Sequence, residues 1–127
     1  MTKYILLLIL LLTSCSLSAD GKDSIFLRKP TSSWVLESVN AFVLVDKHPQ
    51  APVHLLIVPK QPVRTLQEAG PALLGEMLQL ANLAAVKYGV DESGYRVVIN
   101  TNKDGGQHIY HLHMHLLGGR KMQWPPG

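Results

Sequence analysis

The chain has 127 residues, of which 46% are hydrophobic and 17% are charged, a balance that fits one folded domain and excludes a disordered protein. The formal net charge is only +3, and the lysines and arginines are scattered without a basic stripe, so the composition does not support nucleic-acid binding. A folded part of about a hundred residues buries one modest core, which favours support from a partner subunit.

The first segment predicts a signal peptide rather than part of the fold. One positive charge at Lys3 precedes an apolar run over residues 4–12, and nine residues are too few to span a bilayer. The end of this run, Leu12-Thr13-Ser14-Cys15, resembles the lipobox of bacterial lipoproteins, in which the chain is cut before the cysteine and the cysteine is acylated. The predicted organisation is a lipoprotein-type signal peptide at residues 1–14, a tether at 15–22 that begins with the lipidation site Cys15, and one domain at 23–127.

An ordinary secretion signal is the alternative interpretation of this segment. It would be cut near Ser18 or Ala19 and would discard Cys15, the only cysteine of the sequence. Both interpretations place the mature protein outside the cytoplasmic membrane. Because Ser16 rather than aspartate follows the cysteine, the segment resembles lipoproteins sorted to an outer membrane. We therefore expect an exported bacterial protein, anchored to the membrane by lipid and facing the periplasm or lying on the outer membrane.

Further along the chain, hydrophobic patterns predict five strands and one helix. Apolar and β-branched runs separated by turn residues predict strands at 34–36, 41–45, 53–58, 95–101 and 109–117. Between the third and fourth strands, apolar residues at steps of three and four predict an amphipathic helix from Pro71 to Tyr88, which Gly89 ends. The expected fold class is α+β, an antiparallel five-stranded sheet with one main helix packed on it.

The last predicted strand carries three alternating histidines. Side chains of a strand alternate between its faces, so His111, His113 and His115 share one face, while the apolar residues between them share the other. The apolar face can pack on the helix, and the imidazole face then meets water or a ligand. A neutral imidazole attacks phosphorus directly, and flanking groups supply hydrogen bonds and protons. The preceding Gly105-Gly106 turn lets backbone N–H groups approach a phosphate closely.

A metal site is the competing interpretation of the histidines. Successive residues on one face of a strand lie about 6.6 Å apart, so His111 and His115 lie roughly 13 Å apart at the backbone. Zinc requires each nitrogen at about 2.0–2.1 Å, so two neighbouring histidines and a third ligand such as His54 would be needed. The sequence has no CxxC or HExxH pattern. The spacing therefore favours nucleophilic catalysis, with no metal.

The segment from His111 to Leu117 matches the pattern His-φ-His-φ-His-φ-φ of the histidine-triad (HIT) family, where φ is apolar. Residues 46–60 and 105–127 resemble the nucleotide-binding branch of that family, and the resemblance covers roughly residues 23–127. It implies the HIT-like fold and a homodimer whose two sheets form one continuous sheet. It also implies hydrolysis of purine nucleoside phosphoramidates, such as adenosine 5′-monophosphoramidate, or of aminoacyl adenylates, without a metal or another cofactor.

The resemblance also implies roles for individual residues. His113 would form a nucleotidyl-histidine, His115 would contact the phosphate and the leaving group, and His111 and His54 would support and orient the site. The residues implied to bind the phosphate and the leaving group are Asn100, Gly106, Gln107 and His108. Asp46 would bind the ribose hydroxyls, and Phe42 and Leu44 would border the base. Trp124 would reach toward the site of the partner subunit.

The sequence departs from the family pattern at several positions. His108 stands where the family usually has serine, which places a bulky titratable ring beside the phosphate and changes the expected leaving-group preference. Lys47 replaces an apolar residue next to the ribose-binding Asp46, and Pro62 replaces a histidine that often follows the Pro-Lys pair. The segment 26–35 is short, which alters or removes the first helix.

Other functions remain open at this point. The triad does not choose between P–N and P–O bonds, so a dinucleoside polyphosphate hydrolase is an alternative. An exported nucleotide-binding protein with little catalysis and a zinc- or copper-binding protein are two more. For a catalytic imidazole of ordinary pKa, near 6.5, we expect activity to fall below about pH 6, because the protonated ring cannot attack.

Overall fold

The computed structural model describes residues 24–127, so the predicted signal peptide, Cys15 and the tether lie outside the described residues. Five strands form one antiparallel sheet in the order β1-β2-β3-β5-β4, with a single α-helix among the described residues. The strands and the helix have these bounds: β1 Leu36–Glu37, β2 Ala41–Val45, β3 Val53–Pro59, α1 Pro71–Lys87, β4 Tyr95–Val98 and β5 Met114–Gly118. The α+β class, the five-stranded antiparallel sheet and the one main helix are therefore confirmed.

Four strands differ from the predicted bounds, and β3 differs only by including Pro59. β4 ends at Val98 instead of residue 101, and β5 begins at Met114 instead of residue 109. β5 starts late because the segment before it pairs outside the sheet: the Leu112 N–H donates to the Val63 carbonyl at 2.7 Å. β1 begins two residues later than predicted because a 3-10 turn at Thr31–Ser33 precedes it.

The helix covers one face of the sheet. It starts with Pro71 in its first turn and closes where the Tyr88 N–H donates to the Ala84 carbonyl. Its inner residues pack on apolar side chains of β2, β3 and β5: Met77, Leu80, Ala81, Ala84 and Ala85 against Ala41, Val43, Leu55, Ile57, Met114 and Leu116. Full burial of each larger side chain contributes about 1.5–3 kcal/mol. This core leaves the opposite face of the sheet for the site.

The first described segment covers that opposite face. Residues 25–28 form turns instead of a helix, in agreement with the expected loss of the first helix. Phe26 is 3% exposed and packs in a second apolar cluster with Phe42, Leu44, Leu56 and Val58. Within residues 24–127, neither α1 nor the short 3-10 turns are long and apolar enough to cross a bilayer.

Candidate active site

The three histidines of the triad keep their alternation, although only His115 lies inside a strand. Leu112, Met114 and Leu116 are buried in the core under α1. The ring of Phe26 lies on the other side, with ring centroids 5.8 Å from His111 and 5.0 Å from His113. The rings of His113 and His115 are 5.1 Å apart. The extended backbone before β5 therefore has the same effect as the predicted strand.

A backbone carbonyl fixes the position of the proton on His113. The Nδ1 atom lies 2.7 Å from the His111 carbonyl oxygen, which can only accept a hydrogen bond. The neutral ring therefore has its proton on Nδ1 and an unprotonated Nε2. Burial lowers the pKa of His113, with opposing contributions from the His111 carbonyl and Asp46. His113 is thus neutral at pH 7, with Nε2 as its basic atom.

His54 and His115 form a second fixed pair. The Gln50 N–H donates to Nδ1 of His54 at 3.0 Å, so neutral His54 has its proton on Nε2. That Nε2–H donates to Nδ1 of His115 at 2.9 Å, and it lies 3.3 Å from Oδ2 of Asp46. His115 therefore presents an Nε2–H. Burial, followed by the charges of His113 and His54, lowers the pKa of His115 to about 4, and burial also lowers the pKa of His54.

His111 is a supporting residue in this geometry. It is 1% exposed, and its Nε2–H donates to the Pro59 carbonyl at 2.8 Å, which ties the triad to the end of β3. Its buried Nδ1 has no hydrogen-bond partner within the described protein. Burial lowers the pKa of this ring as well. The ring contributes position, and its carbonyl contributes the acceptor for His113.

A cavity of about 640 Å³ opens over the rings of His113 and His115. This volume is in the range of small-molecule sites. The apolar residues of the remaining wall are Ile25, Phe26, Pro30, Val45, Leu56 and Ile109. Its basic residues are Arg28, Lys29, Lys47 and His48, and its acidic residue is Asp46.

Part of the cavity wall cannot be recognised from sequence patterns. Ile25, Phe26, Arg28 and Lys29 lie in a segment that has no helical or strand periodicity. Their only signal is the apolar pair directly after the polar tether.

Phe42 and Leu44 do not border the cavity as expected. They are 0% and 2% exposed. Phe42 is covered by the ring of Trp34, which stacks on it at 4.2 Å. Both side chains lie on the β2 face below the cavity, where they support Phe26 and Leu56. Phe42 and Leu44 therefore lie beneath the cavity wall, and the wall itself is lined by the residues that follow them, from Val45 to His48.

The glycine-rich turn uses its polar groups internally. The Gly106 N–H donates to the Lys103 carbonyl, and the Gln107 N–H donates to the Asn102 carbonyl. The side chain of Gln107, 5% exposed, accepts from the Asn102 N–H at 3.0 Å and donates to the carbonyls of Arg64 and Ile109 at 2.9 and 3.1 Å. These bonds hold the loop in shape, and the phosphate contacts expected of Gly106 and Gln107 stay a prediction.

The remaining candidate residues lie around this centre. Asn100 is half-buried after β4. His108 is exposed and lines a second cavity of about 460 Å³ with Arg64, Tyr110 and His111. Trp124 is 81% exposed, outside the cavity wall, with Arg96 6.0 Å from its ring.

Asp46, His54 and His115 place their potential ligand atoms within 4.8 Å of one another. The three distances, 2.9, 3.3 and 3.9 Å, average about 3.4 Å, close to the separation of about 3.3 Å between ligands of a tetrahedral zinc ion. The hydrogen bonding opposes a metal, however. The Gln50 N–H occupies Nδ1 of His54 and keeps the proton on Nε2, which would be the ligand atom. The distances among the three ligand atoms fit a zinc ion, and the proton on Nε2 of His54 does not.

Comparisons with known proteins agree with the fold. The model of the HIT domain family matches residues 28–122. An uncharacterized HIT-like protein of Synechococcus elongatus is 55% identical over 85 residues, which cover 65% of this chain and 74% of that protein. A 14 kDa zinc-binding protein of Zea mays is 42% identical over 110 residues, covering 83% and 85%. A solved HIT family hydrolase from Legionella pneumophila superposes with a TM-score of 0.77 at 41% identity, covering 83% of this chain and all of that one.

Proposed function

This chain belongs to the HIT domain family, and from that premise we propose that it hydrolyses purine nucleoside phosphoramidates through a nucleotidyl-histidine at His113. The observation that carries the proposal is the hydrogen bond from Nδ1 of His113 to the His111 carbonyl. It leaves the Nε2 lone pair unprotonated on a ring that lines the cavity. A neutral, fixed imidazole is the form that attacks phosphorus.

The proposed reaction has two displacement steps. Nε2 of His113 attacks phosphorus, an N–P bond forms, and the P–N bond of the substrate breaks with its electron pair on the leaving nitrogen. The phosphoryl anion of the bound substrate favours protonated His115, and the Nε2–H of His54 then donates to Oδ2 of Asp46 instead of to His115. Protonated His115 gives its Nε2 proton to the leaving nitrogen. Water then attacks phosphorus, returns a proton to His115 and releases His113, so the products are an amine and a nucleoside monophosphate.

The cavity supplies groups for the rest of a nucleotide. Ile25, Phe26 and Ile109 offer apolar surface for a purine. Oδ1 of Asp46 accepts the His48 N–H at 2.8 Å, and Oδ2 faces the histidine pair. An ionised carboxylate has about four lone-pair sites, so it retains capacity for ribose hydroxyls. We assign Asp46 to the ribose on this basis.

The test is to trap the intermediate and measure turnover of adenosine and guanosine phosphoramidates. His113→Ala should reduce turnover by at least about a thousand-fold and abolish covalent labelling by radiolabelled nucleotide. His108→Ser is the comparison variant. Because His108 is exposed and lines the second cavity, this variant should still trap nucleotide and keep most of its turnover, and the change in leaving-group preference expected from the sequence should not appear. Unchanged turnover in His113→Ala, with an unfolding midpoint equal to the wild type, would overturn the proposal.

We also infer a homodimer that forms along β4. β4 is an edge strand of the sheet, with unpaired backbone groups on one side. The Tyr95 hydroxyl bonds Asn82 on α1, and the neighbouring Leu83 and Val86 are 61% and 60% exposed. Val86→Lys should shift the protein from dimer to monomer in light scattering. A wild-type monomer at micromolar concentration would contradict this.

For the segment outside the described residues, we propose export and a lipid anchor at Cys15. The support is the lipobox-like sequence before it. Acylation should appear as added mass on Cys15, with the protein in the membrane fraction. Cys15→Ser should release the protein from that fraction. A mature chain that starts after residue 15 would favour the ordinary secretion signal.

A further inference from the structure

The wall of the active-site cavity carries four basic residues. Arg28 and Lys29 line it from the first described segment, and Lys47 and His48 line it from the loop after β2. Among the described residues of the wall, Asp46 is the single acidic one. Its carboxylate already accepts the His48 N–H and lies against Nε2 of His54. The cavity therefore presents more positive charge than one 5′-phosphate requires.

Lys29 and Lys47 are close neighbours although they are far apart in sequence. Burial and then the charge and contact of Lys47 lower the pKa of Lys29. Two ammonium groups held side by side repel each other, and a bound anion between them removes that repulsion. Lys47 also follows Asp46 directly in the chain. Both lysines thus line the same cavity as the residue that we assign to the ribose, whereas the 5′-phosphate is assigned to His113 and His115.

We propose that Lys29 and Lys47 form a subsite for a second phosphate, carried on the ribose of the nucleotide. The preferred ligands are purine nucleotides phosphorylated at the 2′ or 3′ hydroxyl. This inference rests on the proposed function, since it needs a nucleotide with its 5′-phosphate at the triad. A phosphate ester on the ribose supplies an anion to the cavity wall that both lysines line, and a plain ribose does not.

The test compares four ligands by titration calorimetry: adenosine 5′-monophosphate, adenosine 2′,5′-bisphosphate, adenosine 3′,5′-bisphosphate and adenosine 5′-diphosphate. One of the two bisphosphates should bind at least about tenfold more tightly than the monophosphate, as expected for charge-assisted bonds to two lysines. The diphosphate has the same additional phosphate at the 5′ end and should show no comparable gain. The two bisphosphates together identify the hydroxyl that is read.

Matched variants separate a subsite from general electrostatic attraction. Lys29→Gln and Lys47→Gln should each remove most of the bisphosphate gain. Lys87→Gln removes one positive charge at the end of α1, on the other face of the sheet, and should leave the gain intact. Equal binding of the bisphosphates and the monophosphate, an equal gain for the diphosphate, or an equal loss in Lys87→Gln would overturn the inference.

The two proposals fail in different ways. If the monophosphate binds and the bisphosphates bind no better, the ribose-phosphate subsite is wrong and the proposed function stands. If neither class of nucleotide binds, or if His113→Ala keeps full turnover, the proposed function is wrong and the subsite is rejected with it.

Discussion

Acidification from pH 7 to pH 5 should destabilise the fold, and His115 sets the size of the effect. The folded pKa of this ring is about 4, whereas the unfolded value is near 6.5. The unfolded chain therefore takes up a proton that the folded chain refuses, and stability falls as the pH drops below 6.5 until it levels off near pH 4. Integration over pH 7 to 5 gives a loss of about 2 kcal/mol from this residue, and the complete interval gives about 3 kcal/mol.

The size matters because the total free energy of unfolding of a domain is about 5–15 kcal/mol. The pKa values of His54, His111 and His113 are lowered as well, so their contributions have the same sign. Carboxyl groups have ordinary pKa values below pH 5. A change in stability between pH 7 and pH 5 therefore reports on the histidines rather than on the carboxyl groups.

Urea unfolding at pH 7, 6 and 5 measures this loss, with His115→Asn as the matched variant. Asparagine keeps an oxygen acceptor for the Nε2–H of His54 but does not titrate. The loss between pH 7 and pH 5 should be about 2 kcal/mol smaller in the variant than in the wild type. An identical pH dependence in both proteins, or a wild-type stability that is constant over this range, would refute the argument.

Three further predictions concern the site and its supports. Burial lowers the pKa of His113, so the acid limb of kcat/KM should lie below pH 6.5. Activity should therefore persist below the pH 6 limit expected for an ordinary imidazole. An acid limb at pH 6.5 or higher, in rates measured from pH 4.5 to 8, would contradict this. Gln107→Ala removes three hydrogen bonds of the loop and should lower the free energy of unfolding in urea by about 1–3 kcal/mol, and an unchanged value would show that the loop does not need them. Met77→Ala, at a fully buried position, should cost about 2–5 kcal/mol, while Leu78→Ala on the exposed face should cost much less; equal losses would contradict the assigned helix face.

The sequence predicts those parts of the fold that follow from repeated local patterns. The helix from Pro71 is recognisable because its apolar residues follow a helical period that ends at Gly89. The alternation of histidines with Leu112 and Met114 predicts two faces, and it holds even where the backbone is not a strand, since extended conformation alone suffices.

The parts that sequence patterns do not predict depend on long-range contacts. The start of β5 depends on the bond from Leu112 to Val63, 49 positions earlier in the chain. The burial of Phe42 depends on Trp34, which the turn before β1 places over it. Gln107 looks like a ligand-binding residue in the sequence, and only the folded loop shows that its amide has three internal partners.

The chemistry of the triad is decided by proton positions, which no residue pattern encodes. The same imidazoles at the same spacing would suit zinc if Nε2 of His54 were unprotonated. One backbone donor, the Gln50 N–H, assigns the proton to that atom, and one backbone acceptor, the His111 carbonyl, removes it from Nε2 of His113. The first bond makes His54 a hydrogen-bond donor to His115, and the second makes Nε2 of His113 the basic atom of the cavity. The proposed catalysis is therefore favoured over metal binding by two main-chain groups outside the side chains that define the motif.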